Sequence, residues 1–283
     1  MFRKLLKYDL KAVARYWWVI AVSVPGVSLV GAFALRGVLS GMDIENETMS
    51  AVAVLCMLLL MVCILALAFS LLGTDILLYV HYYKHFFTDE GYLTFTLPVS
   101  RKKLLLSKMV SSVIYSGVHI LLYVVGLLFF LLFSPPAQNG GFINLIAFEK
   151  LGQLIVNVWN IMGAWLIVYI LEALLLLAVT IVSGFSLIYF CITFGAIIAK
   201  KAKILAAVGI YFGINVVISF VTQLFNGLSL SVFSSGLEQL VDRSNNYLAG
   251  ALIILLFICM VSAWAYVLYG ITLDRLEHRL NLT

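Results

Sequence analysis

Charged residues are so sparse in this 283-residue chain that they leave seven long runs without Asp, Glu, Lys or Arg. Each run reaches the roughly 20 residues that a helix needs to cross the hydrocarbon core of a bilayer. A backbone in lipid must satisfy its own hydrogen bonds, and a helix does so within one segment. The runs are Tyr16–Leu35, Thr48–Thr74, Met109–Phe148, Leu151–Leu171, Ala173–Ala199, Ile204–Leu237 and Ser244–Leu273. They predict transmembrane helices.

The composition agrees with this prediction. Hydrophobic residues make up 64% of the chain and charged residues 11%, whereas a soluble domain has about 45–50% apolar and about 25% charged residues. So few charges do not cover the core of a soluble protein this size. The composition therefore excludes a water-soluble globular enzyme, and also disorder, collagen and a disulfide scaffold.

The number of spans depends on residues 151–199, which are interrupted by a single charge, Glu172. They form either one long helix or a helical hairpin. Short cytoplasmic loops concentrate Lys and Arg, and six spans place 15 of the 18 basic residues on one side, whereas seven give 11 against 7. No Gly or Pro stands beside Glu172 to make a turn. We therefore predict six spans with both termini cytoplasmic.

The predicted fold is an all-α integral membrane protein, one transmembrane domain covering residues 1–283. We place the spans at about 16–39, 51–80, 109–133, 163–199, 202–225 and 247–272. Residues 148–162 mix polar and apolar side chains, which predicts an outside helix on the membrane surface. Aromatic residues mark membrane edges, namely Tyr16, Trp17, Trp18, Tyr79, Tyr82 and Tyr83. Two Gly-x-x-x-Gly pairs, at 37/41 and 209/213, are candidates for close helix contacts.

The first 15 residues have their own pattern. Basic side chains recur every four residues on one face, at Arg3, Lys7, Lys11 and Arg15, and apolar side chains occupy the other. This periodicity predicts an N-terminal amphipathic helix, residues 2–15, lying in the inner membrane interface and leading into span one.

The cytoplasmic segment 81–108, between spans two and three, is unlike the other loops. Thr88 or Asp89 is a candidate N-cap for a short helix, Leu93 and Leu97 fall on one face of it, and Pro98 ends it. We predict a short amphipathic helix over residues 89–97, joined directly to span three. Such a helix suits either docking into a groove of a cytosolic partner or anchoring of the loop in lipid.

Several chemistries have no sequence support. No Lys follows a Gly, so the chain has no phosphate-binding Walker A loop. The four His form no HExxH motif, and the four Cys lie within spans without zinc-site spacing. We therefore predict no catalytic, cofactor or metal site, and no nucleic-acid partner.

Segment 81–108 resembles the coupling region of ABC-2 type transporter permeases. In that family the loop between spans two and three carries an acidic residue, an apolar helix, then Leu-Pro-Val-Ser-Arg and a downstream Lys. The amphipathic N-terminal helix and the six spans are also similar to the family. The residues of this chain that match the loop are Asp89, Glu90, Tyr92, Leu93, Leu97, Pro98, Val99, Ser100, Arg101 and Lys108.

The resemblance implies the permease subunit of an ATP-driven ABC exporter in the cell (plasma) membrane, and we expect a bacterial source. Family members act as dimers with cytosolic ATPase subunits, which hold the ATP and Mg. The second permease would be an identical copy or a paralogue. On this interpretation Leu93 and Leu97 enter an ATPase groove, helped by Tyr92 or Phe95. A polar rim would comprise Asp89, Glu90, Arg101 and Lys102.

Three ionisable residues lie within or near the spans, where such residues are often functional. His119 lies near the predicted midplane, where it either bonds a neighbouring carbonyl or lines a pathway. We expect Asp75 at the cytoplasmic rim, paired with a basic group, and Glu172 near the outer rim, at a gate or dimer contact.

Two other classes of function stay open. A secondary transporter would need a midplane site, for which His119 is the candidate. A non-transporting scaffold or sensor subunit would not need the helix at 89–97. Family members move peptides, drugs, lipids or glycans, and the sequence does not select among them.

Overall fold

The computed structural model describes residues 2–43, 48–96, 98–133, 145–199, 201–220, 223 and 246–278. Two strands of two residues each pair antiparallel, with Met42 opposite Met49; otherwise the described elements are helices. In chain order they are α1 (Phe2–Ser40), β1 (Met42–Asp43), β2 (Thr48–Met49), α2 (Ala51–Phe87), α3 (Asp89–Phe95), α4 (Arg101–Phe133), α5 (Leu145–Met162), α6 (Trp165–Ile198), α7 (Lys203–Phe220) and α8 (Asn246–His278).

Six of these helices, α1, α2, α4, α6, α7 and α8, are long and apolar enough to cross a membrane. Many of their large apolar side chains are exposed, for example Leu55, Leu58 and Met61 on α2. A soluble monomer rarely exposes large contiguous apolar surfaces, whereas lipid is a favourable neighbour for them. The prediction of a helical chain with six helices able to span a membrane is confirmed for the described residues, as expected of a multi-pass membrane protein.

The segment around Glu172 forms one helix. α6 runs without interruption from Trp165 to Ile198, so the chain does not turn at Glu172. The break lies earlier, at Gly163, whose φ of 55° is a left-handed conformation that glycine adopts without steric cost. The predicted surface helix corresponds to α5, and its side chains from residue 149 to 161 are exposed.

The N-terminal segment is also continuous. α1 has no break between the basic residues 2–15 and the apolar residues that follow. Its 39 residues extend over about 58 Å at 1.5 Å per residue, well beyond a hydrocarbon core of about 30 Å. Both α1 and α2, with 37 residues, are therefore longer than a helix needs to be to cross the hydrocarbon.

The described chain divides into two compact units. The first contains residues 1–6, 79–113 and 162–283, and the second contains residues 7–78 and 114–161. In the second unit, α1 buries side chains at a spacing of three or four residues, including Val13, Trp17, Ala21 and Val24. This spacing places them on one face of the helix.

The two Gly-x-x-x-Gly pairs differ in their surroundings. A Cβ on Gly37 would collide with the Cys56 side chain, and one on Gly41 would lie 2.6 Å from the Ala53 Cβ. Small residues at these positions let α1 and α2 approach closely, as in other membrane helix pairs. A Cβ added at Gly209 or Gly213 would meet no heavy atom of the described chain within 4 Å.

In the first unit, α6 packs along α8. The end of α2, the start of α4 and the end of α8 also bury apolar side chains in this unit. The most deeply buried include Phe86, Leu104, Leu105 and Leu276. The short helix α3 lies between α2 and α4 in the chain.

Candidate coupling site

Helix α3 begins immediately after α2 because the chain bends at Thr88. The Thr88 hydroxyl donates to the Lys84 carbonyl at 2.5 Å and so makes no side-chain cap for α3. The sequence offered Thr88 or Asp89 as the cap; Thr88 occupies the N-cap position, but its side chain makes no cap hydrogen bond. Thr88 instead satisfies a carbonyl at the end of α2, one of the groups that a helix terminus leaves unbonded.

A close backbone approach fixes α3 against α2. A Cβ at Gly91 would lie 2.7 Å from the carbonyl oxygen of Phe86 and 2.9 Å from its carbonyl carbon. Both are backbone atoms, so no side-chain rotation relieves such a contact. Gly91 is therefore required for the present distance between the two helices. This requirement for glycine was not predicted from the sequence, because glycines occur in loops for many different reasons.

The outer face of α3 carries two adjacent large side chains. Tyr92 is 64% exposed and Leu93 69% exposed. Glu90 is exposed beside them, with a carboxylate oxygen 3.7 Å from Nδ1 of His85. Lys102 and Pro98 are exposed as well. Apolar side chains bordered by charges of both signs form a surface suited to binding another protein.

Phe95 instead packs against other residues of the same unit. Its ring lies 5.5 Å from the Phe86 ring in an edge-on contact, and the Arg101 guanidinium carbon lies 5.4 Å from its centroid. Edge-on aromatic pairs and cation–π contacts are both favourable. Phe95 therefore fastens α3 to α2 and α4, whereas the sequence interpretation offered either Tyr92 or Phe95 as the docking aromatic.

Arg101 also differs from its predicted place in a polar rim. Its Nη1 donates to the Glu277 carbonyl at 2.8 Å and to the Leu276 carbonyl. The last carbonyls of a helix have no intrahelical partner and attract positive charge. Arg101, the first residue of α4, thus connects this helix to the last turn of α8.

Two lysines from other helices bond the C-terminal part of α2. Lys203, the first residue of α7, donates from Nζ to the Phe87 carbonyl at 3.3 Å. Lys108 is buried in α4, and its Nζ lies 3.0 Å from Nε2 of His81 on α2. The C-terminal part of α2, from which α3 continues, is therefore bonded to α4 and α7.

Two residues of the predicted site lie outside what the structure describes. They are Leu97 and the side chain of Asp89. Of the predicted apolar pair, Leu93 alone is placed. The described site thus consists of Glu90, Tyr92 and Leu93 on the outer face and Phe95 and Arg101 at the base. We call the exposed surface formed by Glu90, Tyr92 and Leu93 the α3 surface.

A buried network deeper in the same unit was not predicted. The Tyr82 and Tyr189 rings stack with centroids 3.8 Å apart and 10° between planes. The Tyr82 hydroxyl bonds Thr193 Oγ1 at 2.8 Å, and the Tyr189 hydroxyl bonds Ser112 Oγ at 2.6 Å. The sequence interpretation placed Tyr82 at a membrane edge, but its side chain is fully buried. The network joins α2, α4 and α6.

His119 lies in the second unit and is 3% exposed. Its Nδ1 is 3.3 Å from Thr74 Oγ1, and its ring contacts Trp17 and Tyr123 edge-on. Its Nε2 is buried and has no hydrogen-bond partner among the described residues. The described hydrogen bond of His119 is therefore to the hydroxyl of Thr74. The sequence had suggested either a bond to a neighbouring carbonyl or a place in a pathway.

Asp75 and Glu172 are both half-buried. Within the described part of the chain, Asp75 makes no hydrogen bond or ion pair, so its expected basic partner is not found there. The Oε2 of Glu172 is buried and likewise has no hydrogen-bond partner among described residues. His119 and Asp75 belong to the second unit, and Glu172 belongs to the first.

In the described ranges, no group of three or more His, Cys, Asp or Glu side chains is arranged to hold a metal ion. The fold and the site define a helical multi-pass membrane protein with an exposed short helix between its second and third spans. No protein-family model, no curated protein and no solved structure matches the chain.

Proposed function

We propose that this chain is the permease subunit of an ATP-driven ABC exporter. In this role it pairs with a second permease, forms the translocation pathway, and binds a separate cytosolic ATPase through the α3 surface. ATP binding and hydrolysis, with Mg, take place on the ATPase. The membrane is the cell membrane, with both termini in the cytoplasm.

The observation that carries the proposal is the geometry of α3. Tyr92 and Leu93 are exposed, while Phe95 and Gly91 fix the helix against α2. A docking element that transmits motion must be exposed to its partner and rigid towards the rest of its own chain. The bonds of Arg101 to the end of α8 give the movement of α3 a route into two long helices.

The direct test is co-purification with an ATPase encoded beside this chain's gene. The tagged full chain and that ATPase are co-expressed, extracted in detergent and separated by size exclusion. Changing Leu93→Asp places a charge in an apolar contact, so we expect the complex to weaken at least tenfold. Thr96→Asp adds the same charge at the exposed C-terminal end of α3 and is the matched control.

Two results would contradict the proposal: failure of the ATPase to co-purify with the unchanged permease, or retention by the Leu93→Asp variant at the level of the control. The rate of ATP hydrolysis in reconstituted vesicles is the second measurement. Coupling through α3 predicts that Leu93→Asp removes the permease-dependent part of that rate.

A secondary transporter is the second candidate, and His119 is the observation that favours it. A buried imidazole nitrogen without a partner among the described residues is a group that a proton-coupled carrier would use. Under this alternative, transport in vesicles would follow an imposed proton gradient and require no ATPase. Under the ABC proposal, transport requires the ATPase and ATP.

A further inference from the structure

A basic and aromatic cavity lies against the N-terminal part of α1. Its volume is about 500 Å³, within the range of small-molecule sites. Five lining residues come from α1 and one from α4, and all belong to the second compact unit. The lining residues are Lys11, Ala14, Arg15, Trp17, Trp18 and Tyr115.

The cavity carries positive charge that the described protein does not neutralise. Lys11 and Arg15 are one helical turn apart, about 6 Å along the axis. Both are exposed, and neither forms a hydrogen bond or ion pair with any described residue. The one acid on α1, Asp9, is buried and lies two residues before Lys11, a spacing that does not bring side chains together.

Three aromatic side chains and Ala14 form the rest of the lining. The Trp17 and Tyr115 rings lie 5.0 Å apart, and Trp18 is exposed. The Nε1 of Trp17 is buried and has no acceptor among the described residues. Trp and Tyr concentrate at the level of lipid headgroups, so the cavity has the composition of a headgroup site.

The helix beyond the cavity is apolar and exposed. Val19 and Val22 follow Arg15 by one and two turns, and both are exposed. A ligand held by Lys11 and Arg15 therefore has an apolar surface beside it in the direction of the hydrocarbon. A phospholipid uses both features, whereas a free phosphate uses the two cations alone.

We propose that this cavity binds the headgroup of an anionic phospholipid. Lys11 and Arg15 bind its phosphate oxygens, with Arg15 able to present two parallel N–H donors. The acyl chains lie along α1 beside Val19 and Val22. Basic pockets beside membrane helices are known to select anionic headgroups. This inference concerns α1 and α4 and does not depend on the identity of any ATPase.

The test is lipid binding to the purified full chain, measured by native mass spectrometry during titration. The probes are phosphatidylglycerol, which is anionic, and phosphatidylcholine with the same acyl chains, which is neutral overall. We expect the unchanged chain to prefer phosphatidylglycerol. The double change Lys11→Gln and Arg15→Gln removes about 1 kcal/mol per cation, which predicts about thirtyfold weaker binding of this lipid.

The matched control is Lys84→Gln with Lys201→Gln, which removes two exposed charges elsewhere and should leave the preference unchanged. The swap Lys11→Arg with Arg15→Lys keeps both charges and should retain most of the binding. Thermal unfolding of each variant in the same detergent shows that the chain is folded.

Three outcomes would overturn the proposal. The first is equal binding of the two lipids by the unchanged chain. The second is equal loss of phosphatidylglycerol binding in the double variant and its control. The third is displacement of the lipid by inorganic phosphate at the lipid's own concentration, which would identify a site for soluble anions.

Discussion

The side chain of Arg101 donates from Nη1 to the backbone carbonyl of Glu277, across 2.8 Å and 176 positions of sequence. The same nitrogen bonds the Leu276 carbonyl, and the guanidinium lies over the Phe95 ring. One residue thus fastens the start of α4 to the end of α8 and to the base of α3. Its removal should loosen all three elements.

The first prediction concerns this contact. Arg101→Ala leaves two carbonyls at the end of α8 without their charged donor. A hydrogen bond to a charged group contributes about 1.5–3 kcal/mol, and the partial exposure of Arg101 favours the lower end. We expect the free energy of unfolding in detergent to fall by about 1–2 kcal/mol. Lys102→Ala, at the exposed neighbouring position, should change it by less than about 0.5 kcal/mol.

Hydrogen exchange localises the same effect. Amides in the last turn of α8 should exchange faster in Arg101→Ala than in Lys102→Ala. Unchanged exchange there, together with unchanged stability, would show that the bonds to Leu276 and Glu277 contribute nothing in the folded chain.

The second prediction separates the two aromatic side chains of α3. Phe95→Ala removes contacts with Phe86 and Arg101, and we expect a loss of about 2 kcal/mol, less than the roughly 3–5 kcal/mol for a fully buried Phe. Tyr92→Ala removes an exposed side chain and should leave thermal unfolding unchanged. Partner binding should show the reverse order, since Tyr92 belongs to the exposed surface. Equal effects of the two changes on stability would refute this division.

The third prediction tests the close approach of α3 to α2. Gly91→Ala places a Cβ within 2.7 Å of the Phe86 carbonyl oxygen, so α3 must shift. Overpacking of this kind costs about 1–3 kcal/mol. Gly117→Ala is the control, because a Cβ there meets no heavy atom of the described chain within 4 Å. A better helix former at that position should be neutral or stabilising by up to about 1 kcal/mol.

Thermal unfolding of both glycine variants measures these energies, and binding of the candidate ATPase measures the position of α3. We expect Gly91→Ala to weaken both. Normal binding and stability in Gly91→Ala would mean that α3 has room to move away from α2 without cost.

The fourth prediction concerns the buried pair of Tyr82 and Thr193. Thr193→Val leaves the fully buried Tyr82 hydroxyl without its partner, at a cost of about 1–3 kcal/mol. Tyr82→Phe should cost less, because Thr193 Oγ1 also donates to the Tyr189 carbonyl at 2.8 Å. The double variant should therefore be no less stable than Thr193→Val alone.

A double-mutant cycle with unfolding in detergent gives the coupling energy, which averages about 0.6 kcal/mol for polar contacts between membrane helices. Tyr83→Phe is the control, since the Tyr83 hydroxyl makes no hydrogen bond to a described residue. Strictly additive single effects at Tyr82 and Thr193 would show that their 2.8 Å contact carries no energy.

The sequence alone predicted that the chain lies in a lipid bilayer, and it predicted the number of spans. Long runs without charge require helices in lipid, because a bilayer offers no other partner for backbone groups. The asymmetry of 15 basic residues against three selected six spans over seven, and six such helices are present in the described chain. These features depend on composition summed over about 20 residues, so single contacts hardly affect them.

The sequence also placed a short helix at 89–97, because turn and helix-ending residues act locally. It did not determine which side of that helix is free. Phe95 and Tyr92 are both aromatic, and only packing against Phe86 and Arg101 assigns one to the base and the other to the surface. The need for Gly91 depends in the same way on a backbone atom of another helix.

Tertiary structure alone decided the contacts between distant residues. Arg101 with Glu277, Lys108 with His81, and Tyr82 with Tyr189 are separated in sequence by 176, 27 and 107 positions. A polar side chain in an apolar protein bonds the polar group that helix packing brings close to it. The periodicity of the sequence does not indicate which group that is. The same packing brings Tyr115 of α4 to Lys11 and Arg15 of α1, and so creates a cavity that neither helix has by itself.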